Sequence, residues 1–210
     1  MKWNTGPALG LVAAAAVVAA GCGDVARQGR APVQIVVQAL EAASGAEPDE
    51  FGTTLRSDVI TLVSRQVNGA ETRVPTVFND VGRVTMSLVL KDPGLGASPA
   101  SPTDLNQVTI SRYRIVYRRT DGRNTPGVDV PFPFDSAATF TVPPDGSASG
   151  GFQIVRHTAK QEAPLASLAN NPDVISTIAE VTFYGQDQAG NEISARGQIG
   201  IDFGNFGDPN

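Results

Sequence analysis

Residues 108–119 read VTISRYRIVYRR, and the alternation in that stretch limits the fold more than any other feature of the chain. Tyr113, Ile115 and Tyr117 share one parity, and Arg112, Arg114 and Arg118 share the other. A two-residue period sends successive side chains to opposite faces of an extended strand. One face of such a strand suits a core and the other suits water. The pattern recurs along the chain. Val33, Ile35 and Val37 alternate with Gln34, Val36 and Gln38, and Val84, Met86, Leu88 and Leu90 with Thr85, Ser87, Val89 and Lys91. Apolar, β-branched runs also cover residues 59–64 (VITLVS), 73–78, 139–142, 152–156, 175–184 and 193–203.

Turn chemistry punctuates these runs: Asn68-Gly69, Asp92-Pro93-Gly94, Asp121-Gly122, Pro144-Asp145-Gly146 and Gly190-Asn191. Gly and Asn accept a positive φ, and Pro presets the entry to a turn. Many strands at turn spacing predict an all-β sandwich or barrel. Only residues 164–169 suggest a helical turn, stopped by Asn170-Asn171-Pro172, and residues 94–104 suggest a loop. The expected core joins Val84, Met86, Leu88, Tyr113, Ile115, Tyr117, Val181, Phe183, Ile199 and Ile201.

Two stretches carry a family resemblance. ISRYRIVYRRTDG, residues 110–122, resembles the third strand of fibronectin type III domains, and VTFYGQDQAGN, residues 181–191, resembles the last hairpin of bacterial Ig-like modules. The resemblance implies an Ig-like, fibronectin type III-like antiparallel β-sandwich in which residues 110–119 pair with residues 178–184. Such domains need roughly 100 residues, so the extra length implies additional N-terminal strands. In that arrangement Arg112 or Arg114 would meet Glu180 or stack on Tyr184.

The N-terminus has a different character. Lys2 precedes an apolar run at residues 8–20, broken only by Gly10. The run is too short and Ala-rich for a stable span, which needs roughly 20 apolar residues, and it has the layout of a secretory signal. It ends Ala19-Ala20-Gly21-Cys22, which resembles a bacterial lipobox. Cys22 is the only cysteine of the chain. The expected organisation is a signal peptide at 1–21, a lipidated Cys22 with a tether through residue 31, and a single β-sandwich domain at 32–210. Acyl chains such as palmitate on Cys22 would hold the protein to the bilayer, and a tether of nine residues would reach at most about 30 Å. Gly23 after the cysteine implies an outer-membrane destination if the cell is Gram-negative.

Composition excludes several classes. A single cysteine rules out disulfides and cysteine-based zinc sites. With 16 basic and 21 acidic residues the chain carries a formal charge of −5, which disfavours nucleic acid and polybasic membrane contact. No Gly-x-Ser-x-Gly elbow, paired-His zinc motif or phosphate loop occurs. His157 is the sole histidine and reads as a surface residue. Asp121, Asp145 and Asp187 could offer oxygen to calcium but equally make ordinary turns. No cofactor is expected.

Two patches remain as candidate partner sites. Arg112, Arg114 and Arg118 form either an anion-binding stripe, for an acidic polysaccharide or headgroup, or a solvated outer face. Phe132 and Phe134 lie in GVDVPFPFD, residues 127–135, where Pro131 and Pro133 cannot donate ladder bonds and so mark an edge or loop. Their rings are either a partner patch or a cover for the end of the core. The expected role is a membrane-anchored, non-enzymatic binding or structural module of the cell envelope, with an envelope protein or polysaccharide as partner. Two others stay open: an accessory subunit of a secretion or transport complex, and an envelope hydrolase with an unrecognised site.

Overall fold

The computed structural model describes residues 29–206 apart from 95–97 and 99. The chain folds as an all-β sandwich. One sheet has three strands: β1 (Val33–Ala43), β5 (Asp80–Leu90) and β8 (Ala148–Val155), with β5 central. The other has five, in the order β2 (Thr54–Asp58), β10 (Glu192–Gly204), β9 (Ile175–Asp187), β6 (Val108–Arg118) and β7 (Phe134–Val142). Every pairing in these sheets is antiparallel except β2 on β10. Among the described residues, the remaining strands, β3 (Thr61–Val67) and β4 (Ala70–Thr76), form a separate two-stranded sheet.

The alternation built these strands as expected, with one local adjustment. Val108 and Ile110 have the opposite parity to Tyr113, yet all three are buried. A bulge at Ser111, between Ile110 and Arg112, shifts the register against both β7 and β9 and resets which parity faces inward. All ten expected core residues are buried in one cluster. Tyr113, Phe152 and Phe183 form its aromatic centre, with ring centroids 5.2 to 6.2 Å apart. Edge-on pairs such as Tyr113–Phe152 and Phe152–Phe183 add about 0.5–1.5 kcal/mol beyond area burial.

Strands β6 and β9 are neighbours, with Tyr113 opposite Phe183 and Arg112 opposite Tyr184. The turns at Gly69, Gly94, Gly122, Gly146 and Gly190 all have positive φ. Several boundaries differ from the sequence reading. The run at 59–64 is not one strand: Val59 and Ile60 sit between β2 and β3. Strand β2 itself, TLRSD, was not foreseen, because five residues with two charges carry little alternation. The helical turn at 164–169 is a 3-10 helix at Leu165–Asn170, and a one-turn helix, α1 (His157–Lys160), precedes it.

The strand pairings define two ends. Val33, Leu90, Val108, Val142 and Asp187 gather at one end, where the chain enters the sandwich. Ala43, Asp80, Arg118, Val155 and Phe203 gather at the other. The segment β3–β4 leaves from the second end, because it follows Asp58, the last residue of β2 beside Gly204.

Candidate functional site

Cys22 and the lipobox-like run lie outside the described residues. The arginine face lies within them and is paired throughout. Arg112 donates to Asp135 at 3.1 Å and places its guanidinium 4.2 Å from the Tyr184 ring centre. Arg114 shares Asp135. Arg118 donates from Nε to Glu180 at 2.9 Å. The contact with Tyr184 matches the expectation, but the Glu180 partner is Arg118 rather than Arg112 or Arg114. Asp135 intervenes because β7 brings it directly opposite Arg114. Exposed pairs of this kind each contribute about 0.2–1 kcal/mol. Three guanidiniums against two carboxylates leave one net positive charge on this face, but each of the three arginines already has a partner.

Phe132 and Phe134 separate. Phe132 is 52 % exposed and rests against Gly127, where a Cβ would meet its ring at 2.3 Å. Phe134 is buried, 6.1 Å from Tyr113 and under the Arg156 guanidinium. Phe134 therefore belongs to the core. β7 begins only at Phe134, so Pro131 and Pro133 lie in the loop before the edge strand.

The aspartate turns at Asp121 and Asp187 are internally occupied. Asp187 accepts from the amides of Ala189 and Asn191 and from the Asn191 side chain. Asp121 accepts from Arg119 and Arg123, and these two guanidinium contacts hold its carboxyl well below the usual range. His157 is exposed and caps onto Asn79 at 2.9 Å. Among the described residues, no group of three or more His, Cys, Asp or Glu side chains could hold a metal ion.

Sheet edges matter because an open one can take up a further strand. The edge of β8 is covered at Gln153, because the Tyr113 hydroxyl donates to its carbonyl at 2.9 Å and accepts from its amide at 3.2 Å. Tyr117 reaches the neighbouring carbonyl of Ile154 at 2.7 Å, and burial pushes its phenol far above the ordinary value. An open apolar groove of about 600 Å³ lies on the outer face of β5 and β8, floored by Val81 and Gly151 and walled by Phe51 and Arg83. Arg83 stacks on Phe51 at 4.1 Å and pairs with Glu41.

The least supported segment is β3–β4. Its two strands form a hairpin arm closed by Asn68 (φ 52°) and Gly69 (φ 81°), the two-residue turn with both φ positive. Residues 64–73 are all exposed, so from Ser64 to the tip and back the arm has no inner face. Its base is held far more firmly than its length. Thr61 donates to the Asp58 carboxylate at 2.8 Å, and the amide of Phe206 donates to the other oxygen at 3.1 Å. Behind them Lys160, 2 % exposed, donates to the Asp58 carbonyl and to Asp80, both at 2.8 Å. Asp80 also accepts from Ser57 at 2.6 Å and from the amide of Gly45 at 2.9 Å. Burial pushes the Asp80 carboxyl above its ordinary value, and Lys160 beside it pulls it back.

Sequence reasoning gave the Asn68-Gly69 turn between the runs at 59–64 and 73–78 but not that this hairpin stands apart from both sheets, and it missed the buried cluster. The arm had a signal, Arg65, Glu71 and Arg73 around the turn. Lys160, in HTAKQE, had none, since its partners lie 80 and 102 residues away.

No protein-family model matches the chain. No curated protein matches it either.

Proposed function

We propose that this chain is a lipid-anchored, non-enzymatic binding module of the cell envelope, built on an Ig-like sandwich. The run Ala19-Ala20-Gly21-Cys22, with the only cysteine of the chain at its end, carries the anchored part of this reading. The Ig-like part is supported by the strand order, with β6 beside the penultimate strand and β2 running parallel to the last. The binding part is supported by the placement of the arm. The chain enters the sandwich at one end and the arm leaves from the other, so an anchored protein presents the arm away from its tether. An acidic polysaccharide on Arg112, Arg114 and Arg118 is disfavoured, since Asp135, Glu180 and Tyr184 already engage them.

Intact-mass analysis of the protein extracted from membranes tests the anchor. The mature chain should begin at Cys22 and carry diacylglycerol, and Cys22→Ala should leave it unacylated. An unmodified Cys22 in the wild type overturns the reading. A second reading, an accessory subunit of an envelope complex held by strand addition, draws on the outward edge of β4 in the arm. A stoichiometric partner retained through extraction would favour it.

A further inference from the structure

We infer that the arm pairs with the arm of a second copy of this chain, β4 against β4, about a two-fold axis through Thr72. The inference rests on the reading of the chain as a binding module but does not require the lipid anchor, so the two tests fail separately.

A two-stranded ribbon without a third strand or a packed face is marginal in water, and here the ribbon is fixed at a rigid base. Hydrogen bonding within the arm shows which backbone groups remain for a partner. Val67 and Ala70 flank the two-residue turn and form a bonded pair, and bonded pairs then recur at Arg65–Thr72, Val63–Val74 and Thr61–Thr76. The intervening residues turn their amides and carbonyls outward. On β3 these include Ser64 and Gln66, which carry no charge. On β4 they are Glu71, Arg73 and Pro75, and Pro75 has no N–H to give. Among the described residues, neither Glu71 nor Arg73 takes part in an ion pair.

These facts leave one register. Two copies of β4 running antiparallel must match outward residues with outward residues. Centring the pair on Glu71 sets carboxylate against carboxylate, and centring it on Arg73 sets guanidinium against guanidinium. Centring it on Val74 asks Pro75 to donate. Centring it on Thr72 sets Glu71 opposite Arg73 of the second copy and Arg73 opposite its Glu71, with all four backbone bonds available. Like charges directly opposed destabilise a sheet and opposite charges stabilise it. The same patch meets itself, as a two-fold interface requires.

On that axis the two Thr72 residues form a non-bonded antiparallel pair, with Cα atoms about 4.5 Å apart, inside the disulfide range. The test is Thr72→Cys in the full chain, extracted in detergent and mildly oxidised, with the wild type measuring any linkage through Cys22. Thr72→Cys should form a disulfide dimer at least tenfold faster than Arg65→Cys, on the neighbouring strand of the same exposed arm. Adding Glu71→Arg or Arg73→Glu to Thr72→Cys should slow dimer formation at least fivefold, and both together should restore it. Circular dichroism should be unchanged throughout, because these side chains touch no core. Equal rates for Thr72→Cys and Arg65→Cys, a double charge swap that fails to restore the dimer, or a linkage to a different protein would each overturn the inference.

Discussion

Replacing Asp80 by Asn isolates the cluster that fixes the base of the arm. In the native chain the Lys160 ammonium touches two acceptors, Asp80 and the Asp58 carbonyl, and its side chain is 1 % exposed against 0 % for Asp80. Asparagine keeps the shape but removes the negative charge. A buried charge stripped of its partner costs about 3–5 kcal/mol. The alternative is for the lysine to give up its proton, and at pH 7 that costs roughly 4–5 kcal/mol for an ordinary lysine, at about 1.4 kcal/mol per pH unit. Both routes predict a loss of about 3–5 kcal/mol from a total that is typically 5–15 kcal/mol. Urea unfolding measures it, with an unchanged slope confirming that the native state is still compact. The double variant Asp80→Asn/Lys160→Met removes both charges and should recover at least half of the loss. A loss below about 1 kcal/mol, or a double variant no more stable than Asp80→Asn, refutes the assignment of the pair as a structural lock.

Truncating Phe183 to Ala should cost about 3–5 kcal/mol in the same assay, since its ring is fully buried between Tyr113 and Phe152. Arg112→Ala should cost no more than about 1 kcal/mol, because its contacts to Asp135 and Tyr184 are exposed; a larger loss in urea unfolding would show that the arginine face carries structural weight. Amide exchange should find the arm amides from Arg65 to Val74 the least protected in any strand of the monomer, since few buried contacts support them. Gly69→Ala, at a φ of 81°, should lower that protection further and leave the sandwich transition within about 1 kcal/mol of wild type.

The inward faces were legible because burial on one side of a strand writes itself into sequence every second residue. Tyr113, Ile115, Val181 and Phe183 needed no tertiary knowledge. The bulge at Ser111 was not legible, because VTI and YRIVY each alternate correctly and only their junction changes phase. Asp135 was missed as the partner of Arg112 and Arg114 because nothing local fixes how β7 registers on β6. Phe132 and Phe134 both follow a proline in sequence, and only the start of β7 decides that one ring enters the core. The lysine of α1 was invisible for a related reason: a buried charge is recognised by its partner, and Asp80 and Asp58 reach it from distant strands.

The Tyr113 hydroxyl has a consequence for how the protein behaves in bulk. A bare strand edge is a template on which another chain can assemble, and β8 is an edge strand rich in glycine, with little side-chain bulk to repel a newcomer. One phenolic oxygen occupies both backbone groups of Gln153 and so interrupts that template midway. The colloidal stability of the molecule therefore hangs partly on one side-chain oxygen: a phenylalanine at position 113 would keep the aromatic packing, yet make concentrated solutions prone to fibrous, edge-on association.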